Sequence, residues 1–261
     1  MNKRGVKIIL LVSALVVVVI FAASGFINNA YVVPVAMYHK IDGDSMKSVL
    51  SLSPESFERQ MAFLRKHKYN IIPLAELARI IKEKKRAPSK TIAITFDDGY
   101  ENNYTNAFPV LKRYDIPATI FVVIKDVGTD GFMTWGQIEE MRDAGIDIGS
   151  HTLTHPHLPS IDENRLISEV VGSKAIIESR LGGTVKSFSY PSGGFNAMVR
   201  KEVVDAGYEV AVATNPGKKY PKHDPYALKR LRISRTSDNL FVFWIETSGI
   251  YTFIKEHRDD D

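Results

Sequence analysis

The 261 residues include no cysteine. That absence excludes a thiol nucleophile, a disulfide framework, a lipid-modified N-terminal cysteine and thiolate-bound zinc. Any metal centre has to be built from histidine and carboxylate. Excess charge is also small, at +4, and is spread along the chain. No basic footprint for nucleic acid is present, and none is expected as a partner. Internal repeats and low-complexity tracts are absent. Hydrophobic residues make up 44%, enough for one large domain with its own core, or for two small ones.

One long apolar run stands apart. Residues 8–27 carry no charge and follow Lys3, Arg4 and Lys7. About 20 residues cross the hydrocarbon core of a bilayer, and the basic flank is expected to stay cytoplasmic. The expected plan is a stub and single-pass anchor over 1–30, a folded unit over 31–255 outside the cell membrane, and a charged tail over 256–261. The alternative is a cleaved signal, with Ala22 and Ser24 near the cut. It would make the chain a secreted protein.

From residue 34 onward, short apolar segments alternate with helical periodicity. Strands are expected at 34–38, 91–95, 118–123, 146–149, 186–190, 209–214 and 231–233. Helices are expected at 53–67, 74–84, 99–114, 135–143, 161–181, 197–206 and 239–247. Six or seven alternations without a break in composition predict an α/β fold with a parallel sheet, and the length suits a (β/α) barrel.

In such folds, functional residues gather where strands end. Four strand ends carry chemistry: His39; Asp97-Asp98-Gly99; His151 with His155; and Tyr190-Pro191-Ser192-Gly193. Side chains alternate along a strand, so neighbouring Asp97 and Asp98 can serve different tasks, one on a metal and one on a water. Asp-Gly is also a common turn signal. One helical turn would bring the imidazoles of His151 and His155 to one side. Two imidazoles and a carboxylate suit Zn²⁺ and leave positions open for water and substrate; Co²⁺, Ni²⁺ or Mn²⁺ could serve the same donors. His157 is expected to face solvent.

Thr95-Phe96-Asp97-Asp98-Gly99-Tyr100 and His151-Thr152-Leu153-Thr154-His155 resemble the first two motifs of the NodB-like polysaccharide deacetylases, carbohydrate esterase family 4. Phe188-Ser189-Tyr190-Pro191-Ser192-Gly193 is similar to the third motif. The resemblance runs from about Val35 to Ser234. It implies a distorted (β/α) barrel and metal-dependent hydrolysis of N-acetyl groups on an extracellular glycan of N-acetylglucosamine or on peptidoglycan, releasing acetate. The ligands it implies are Asp98, His151 and His155, with Asp97 as general base. The Ser192 N–H would hold the oxyanion, with Tyr190 beside it, and Trp135 would line the cleft.

Two departures matter. The histidine many members supply from a late motif is missing; after Ser192 only His223 and His257 remain. Tyr38-His39-Lys40-Ile41 instead resembles the Y-H-x-I segment of the branch that deacetylates poly-β-1,6-N-acetylglucosamine, which implies His39 as general acid. Ser189 stands where the family has an arginine that orients the base, and Arg232, at the end of a late strand, is the expected substitute. O-acetyl ester hydrolysis and a non-catalytic wall-binding barrel remain open as alternatives. A monomer is expected.

Overall fold

The computed structural model describes residues 31–43, 48, 50–214 and 224–249, together with positions 13 and 251. The expected membrane segment, the charged tail, His223 and His257 lie outside the described residues. Among the described residues, no helix is long and apolar enough to cross a membrane.

The strands are β1 (Val35–Tyr38), β2 (Lys40–Ile41), β3 (Ser51–Leu52), β4 (Asn70–Ile71), β5 (Thr91–Phe96), β6 (Thr119–Val122), β7 (Asp147–Ser150), β8 (Ser187–Ser189), β9 (Val210–Ala213), β10 (Leu228–Lys229) and β11 (Leu231–Arg232). The helices are α1 (Pro54–Lys66), α2 (Leu74–Lys82), α3 (Phe108–Arg113), α4 (Trp135–Asp143), α5 (Glu163–Ile167), α6 (Ser173–Leu181), α7 (Ala197–Asp205) and α8 (Leu240–Glu246). The main sheet is parallel, in the order β10-β9-β8-β7-β6-β5-β1-β11, with β4 also on β5. Its two end strands are separated in sequence by Arg230 alone. One continuous segment therefore pairs with β9 on one side and with β1 on the other, giving a nearly closed parallel (β/α) barrel.

Alternation sorts the strand residues into two layers. Ala36, Ile94, Ile120, Ile148 and Phe188 pack outward with Phe57, Met61, Ile138, Ile177 and Val203 of the helices. Val35, Ala93, Phe121, Val210 and Val212 fill the interior, where Leu74, Leu77 and Ala78 of α2 join them. α2 thus plugs the N-terminal end of the barrel. Gly149 is forced by this packing, since a Cβ there would lie 2.5 Å from Phe121 Cδ1 and 2.9 Å from the Ser187 carbonyl.

The helix expected over 161–181 is interrupted. α5 and α6 are joined by a π-helical turn at Ser168–Gly172, and a second such turn, Asn103–Ala107, precedes α3. The polar stretch after Ile41 leads into β3, which pairs with β2 in a small parallel ladder.

Candidate active site

The inward alternation continues one residue past the strand ends. Val35 and Met37 lead to His39, Ala93 and Thr95 to Asp97, and Gly149 to His151. The Asp97 N–H donates to the Tyr38 carbonyl (3.0 Å) and the His151 N–H to that of Val122 (2.9 Å). These bonds pin both residues at the C-terminal mouth.

Asp98 cannot continue the strand. It takes a left-handed φ of +72°, followed by Gly99 at +77°, and this turn swings its carboxylate across the mouth. His151 and His155 do not converge through a helical turn, as the spacing suggested. Left-handed residues at Thr152 (φ +72°) and His155 (φ +58°) fold the segment back, bringing the rings to 4.7 Å at 77°. The fold-back is held from below. Buried Glu169, in the π-helical turn, accepts the Thr154 N–H at 2.8 Å and the Thr154 hydroxyl.

Asp98 Oδ1 lies 3.6 Å from His151 Nε2 and 3.9 Å from His155 Nε2. All three ligand atoms fall within 4.8 Å of one another. Ligand atoms around a tetrahedral ion at about 2.1 Å stand roughly 3.4 Å apart, so a small inward movement closes the set on a divalent cation. The donor chemistry fits. His151 Nδ1 meets the Ser189 carbonyl at 2.7 Å, which fixes the ring and leaves Nε2 for the cluster. Burial pushes the His151 pKa down, against the pull of Asp97 and Asp98, and so favours the neutral ligand form.

Asp97 is buried beside this cluster, its Oδ2 3.9 Å from His151 Nε2. The cation on Asp97 is Arg230 and not the expected Arg232. Arg230 Nη1 and Nη2 reach Oδ1 and Oδ2 at 2.7 and 2.6 Å, and Nη2 also donates to Ser189 Oγ at 3.0 Å. The register explains the difference. At Arg230 the chain passes from β9 to β1 as its partner, with its N–H on the Ala213 carbonyl, and its side chain enters the barrel above Phe121. Arg232, on β11, is exposed. Burial opposes ionisation of Asp97, but Arg230, by charge and hydrogen bonds, and His151 hold its carboxyl well below the usual carboxylate range.

His39 Nδ1 is buried without a hydrogen-bond partner among the described residues. Burial lowers its pKa, with Arg230 and Arg232 acting the same way and Asp97 and Asp98 opposing. Ser192 sits at the mouth with φ +55°, an exposed non-glycine residue in a left-handed turn. His157 is exposed, with Nδ1 2.6 Å from Ser160 Oγ.

Two expected substrate contacts lie elsewhere. The Tyr190 side chain is fully buried, stacked on Phe195 and donating to the Tyr226 carbonyl; it is the outward residue after β8 and belongs to the core. Trp135, the first residue of α4, packs outside the barrel in a groove with Ile124, Ile176 and Arg180. None of the metal-site residues lines that groove.

The family model for polysaccharide deacetylases matches residues 84–211. YxkH of Bacillus subtilis strain 168, itself named for polysaccharide deacetylation, is 34% identical over 82% of this chain and 76% of its own length. The chain belongs to the polysaccharide deacetylase family. It is accordingly a hydrolase, in a metal-dependent family. The poly-β-1,6-N-acetyl-D-glucosamine N-deacetylase of Staphylococcus epidermidis is 29% identical over 74% of this chain and 72% of its own. Among solved structures, the Streptococcus pyogenes deacetylase PplD, determined with acetate, superposes with a TM-score of 0.73 at 26% identity, covering 81% of this chain and 97% of that one.

Arg230 was not found from the sequence. The signal for it was indirect: Ser189 supplies no positive charge to Asp97, and Arg230 lies where the strand changes partners.

Proposed function

We propose that this deacetylase removes N-acetyl groups from an extracellular N-acetylglucosamine polymer, with Asp98, His151 and His155 holding a divalent cation, Zn²⁺ by donor preference. The observation that carries the reading is Asp97, clamped by Arg230 and facing the ligand cluster. When bound, the cation supplies polarisation of the acetyl carbonyl and acidifies water. Asp97 accepts the proton of the attacking water, and Arg230 fixes which way its oxygens point. The Ser192 N–H, at the left-handed turn, is the candidate donor to the oxyanion. His39 is the candidate that delivers a proton to the departing amine, beside Asp97 and Asp98, whose charges act on it. The N-acetylglucosamine reading draws support from the named activity of the staphylococcal relative. The export reading draws support from the basic residues 3, 4 and 7 before the apolar run.

Acetate release tests the proposal, measured for the full chain with Zn²⁺ on poly-β-1,6-N-acetylglucosamine, on peptidoglycan and on O-acetylated xylan. Release from an N-acetylated glycan is expected, abolished by chelation. Asp97→Asn is expected to lower kcat by about 10²- to 10⁴-fold while Zn²⁺ still binds. Near-normal turnover in that variant would remove Asp97 as the base. Release from the xylan alone would overturn the amide reading.

A further inference from the structure

Among the described residues, the outer face of α8 is left exposed. Phe241 and Trp244 are 65% and 48% exposed, the two most exposed large apolar side chains among the described residues, and Ile245 is 37% exposed. The three occupy one stripe at i, i+3 and i+4, with the Phe241 and Trp244 rings 5.7 Å apart. The opposite face of α8 is committed to the core through Phe243 and Thr247, against Phe63 and Tyr69. Glu246 also turns inward, where its charge acts on buried Tyr38. No charged side chain of α8 therefore interrupts the stripe.

The C-terminal end of α8 lies beside the first described residues of the chain. Just beyond its C-terminal end, the Gly249 carbonyl accepts the Val32 N–H, and Gly249 lies so close to Tyr31 that a Cβ would stand 2.3 Å from its ring. Tyr31 is the fourth residue after the apolar run 8–27. The three residues between span at most about 10 Å. The Tyr31 hydroxyl is bonded to both the N–H and the carbonyl of Thr91. The stretch before Thr91 is basic, with Lys82, Lys84, Lys85, Arg86 and Lys90 exposed against a single acid, Glu83.

We infer that the α8 face and this basic rim are a docking surface for an anionic lipid bilayer. Exposed Trp and Phe beside Lys and Arg is the composition of a membrane–water interface, and the lysines complement acidic headgroups. The inference rests on reading residues 8–27 as a membrane anchor.

The test uses the full chain in vesicles of phosphatidylglycerol and phosphatidylethanolamine. Trp135→Phe leaves Trp244 as the one emitter of the two tryptophans in the sequence. Flotation reports anchoring, and quenching by lipids brominated on the acyl chain reports contact. Flotation with strong quenching is expected. Phe241→Ser with Ile245→Ser is expected to lose most of the quenching and keep flotation. Flotation without quenching would overturn the docking surface and leave the anchor standing. A blue-shifted but unquenched Trp244 would mean that protein, such as a second copy, covers the face, and would also overturn it. Failure to float would overturn the anchor and the docking surface together.

Discussion

Arg230 reaches Asp97 with two nitrogens at 2.7 and 2.6 Å, although 133 positions separate them in sequence. Both groups are buried, so the pair cannot be judged by surface ion-pair standards. Removing one partner strands the other charge in the barrel and typically costs about 3–5 kcal/mol. Arg230→Ala is therefore expected to lose stability and to lower kcat/KM by roughly 10²-fold or more, as a base freed of its clamp does. Arg232→Ala is expected to change kcat/KM only a few-fold. Equal losses in the two variants, measured on one substrate with stability recorded alongside, would refute the assignment of the clamp to Arg230.

Glu169 carries the second prediction. Its carboxylate is buried and holds Thr154, and so the fold-back that presents His155. Glu169→Gln is expected to weaken Zn²⁺ binding by about 10- to 100-fold, the usual cost of losing support behind a ligand. Calorimetric titration measures this directly. Unchanged affinity would show that the left-handed turns at Thr152 and His155 hold without it.

The sequence made the barrel and three of its strand ends legible for one reason: alternation and motif spacing are local. His39, Asp97 and His151 each follow a run whose inward positions can be counted by twos. The misreadings arose where geometry depends on remote neighbours. His151 and His155 meet through positive-φ residues that a helical count cannot anticipate. Arg230 rather than Arg232 faces Asp97 because the strand changes partners between them. Trp135 and Tyr190 were expected in the cleft from the family resemblance, yet Trp135 packs in a groove outside the barrel and Tyr190 is buried in the core. The π-helical turn at Glu169 has no pattern that distinguishes it from an ordinary helix.

Gly149 sets the third prediction. Its missing side chain makes room for Phe121, the ring beneath Arg230. Gly149→Ala is expected to destabilise by about 1–3 kcal/mol through overpacking. Adding Phe121→Leu should recover part of that loss, giving a coupling of about 0.5 kcal/mol or more in a double-mutant cycle. Strict additivity in denaturant unfolding would show that the two positions do not share the space.

The last prediction concerns pH. Burial is the largest influence on His39 and lowers its pKa, with Arg230 and Arg232 adding to it and Asp97 and Asp98 opposing. In the unfolded chain an imidazole takes its proton near pH 6.5, whereas folded His39 still refuses it. Between the two values the unfolded state binds more protons, so stability falls as pH drops below about 6.5. Above that value His39 is neutral in both states and contributes no slope. His39→Gln removes the contribution. The difference in melting temperature, wild type minus variant, is therefore expected to become more negative from pH 7.5 to pH 5.5 in metal-free protein. A difference that stays constant across that interval would mean that His39 takes its proton as readily in the folded barrel as outside it. An imidazole so readily charged would need no bound substrate to become a proton donor.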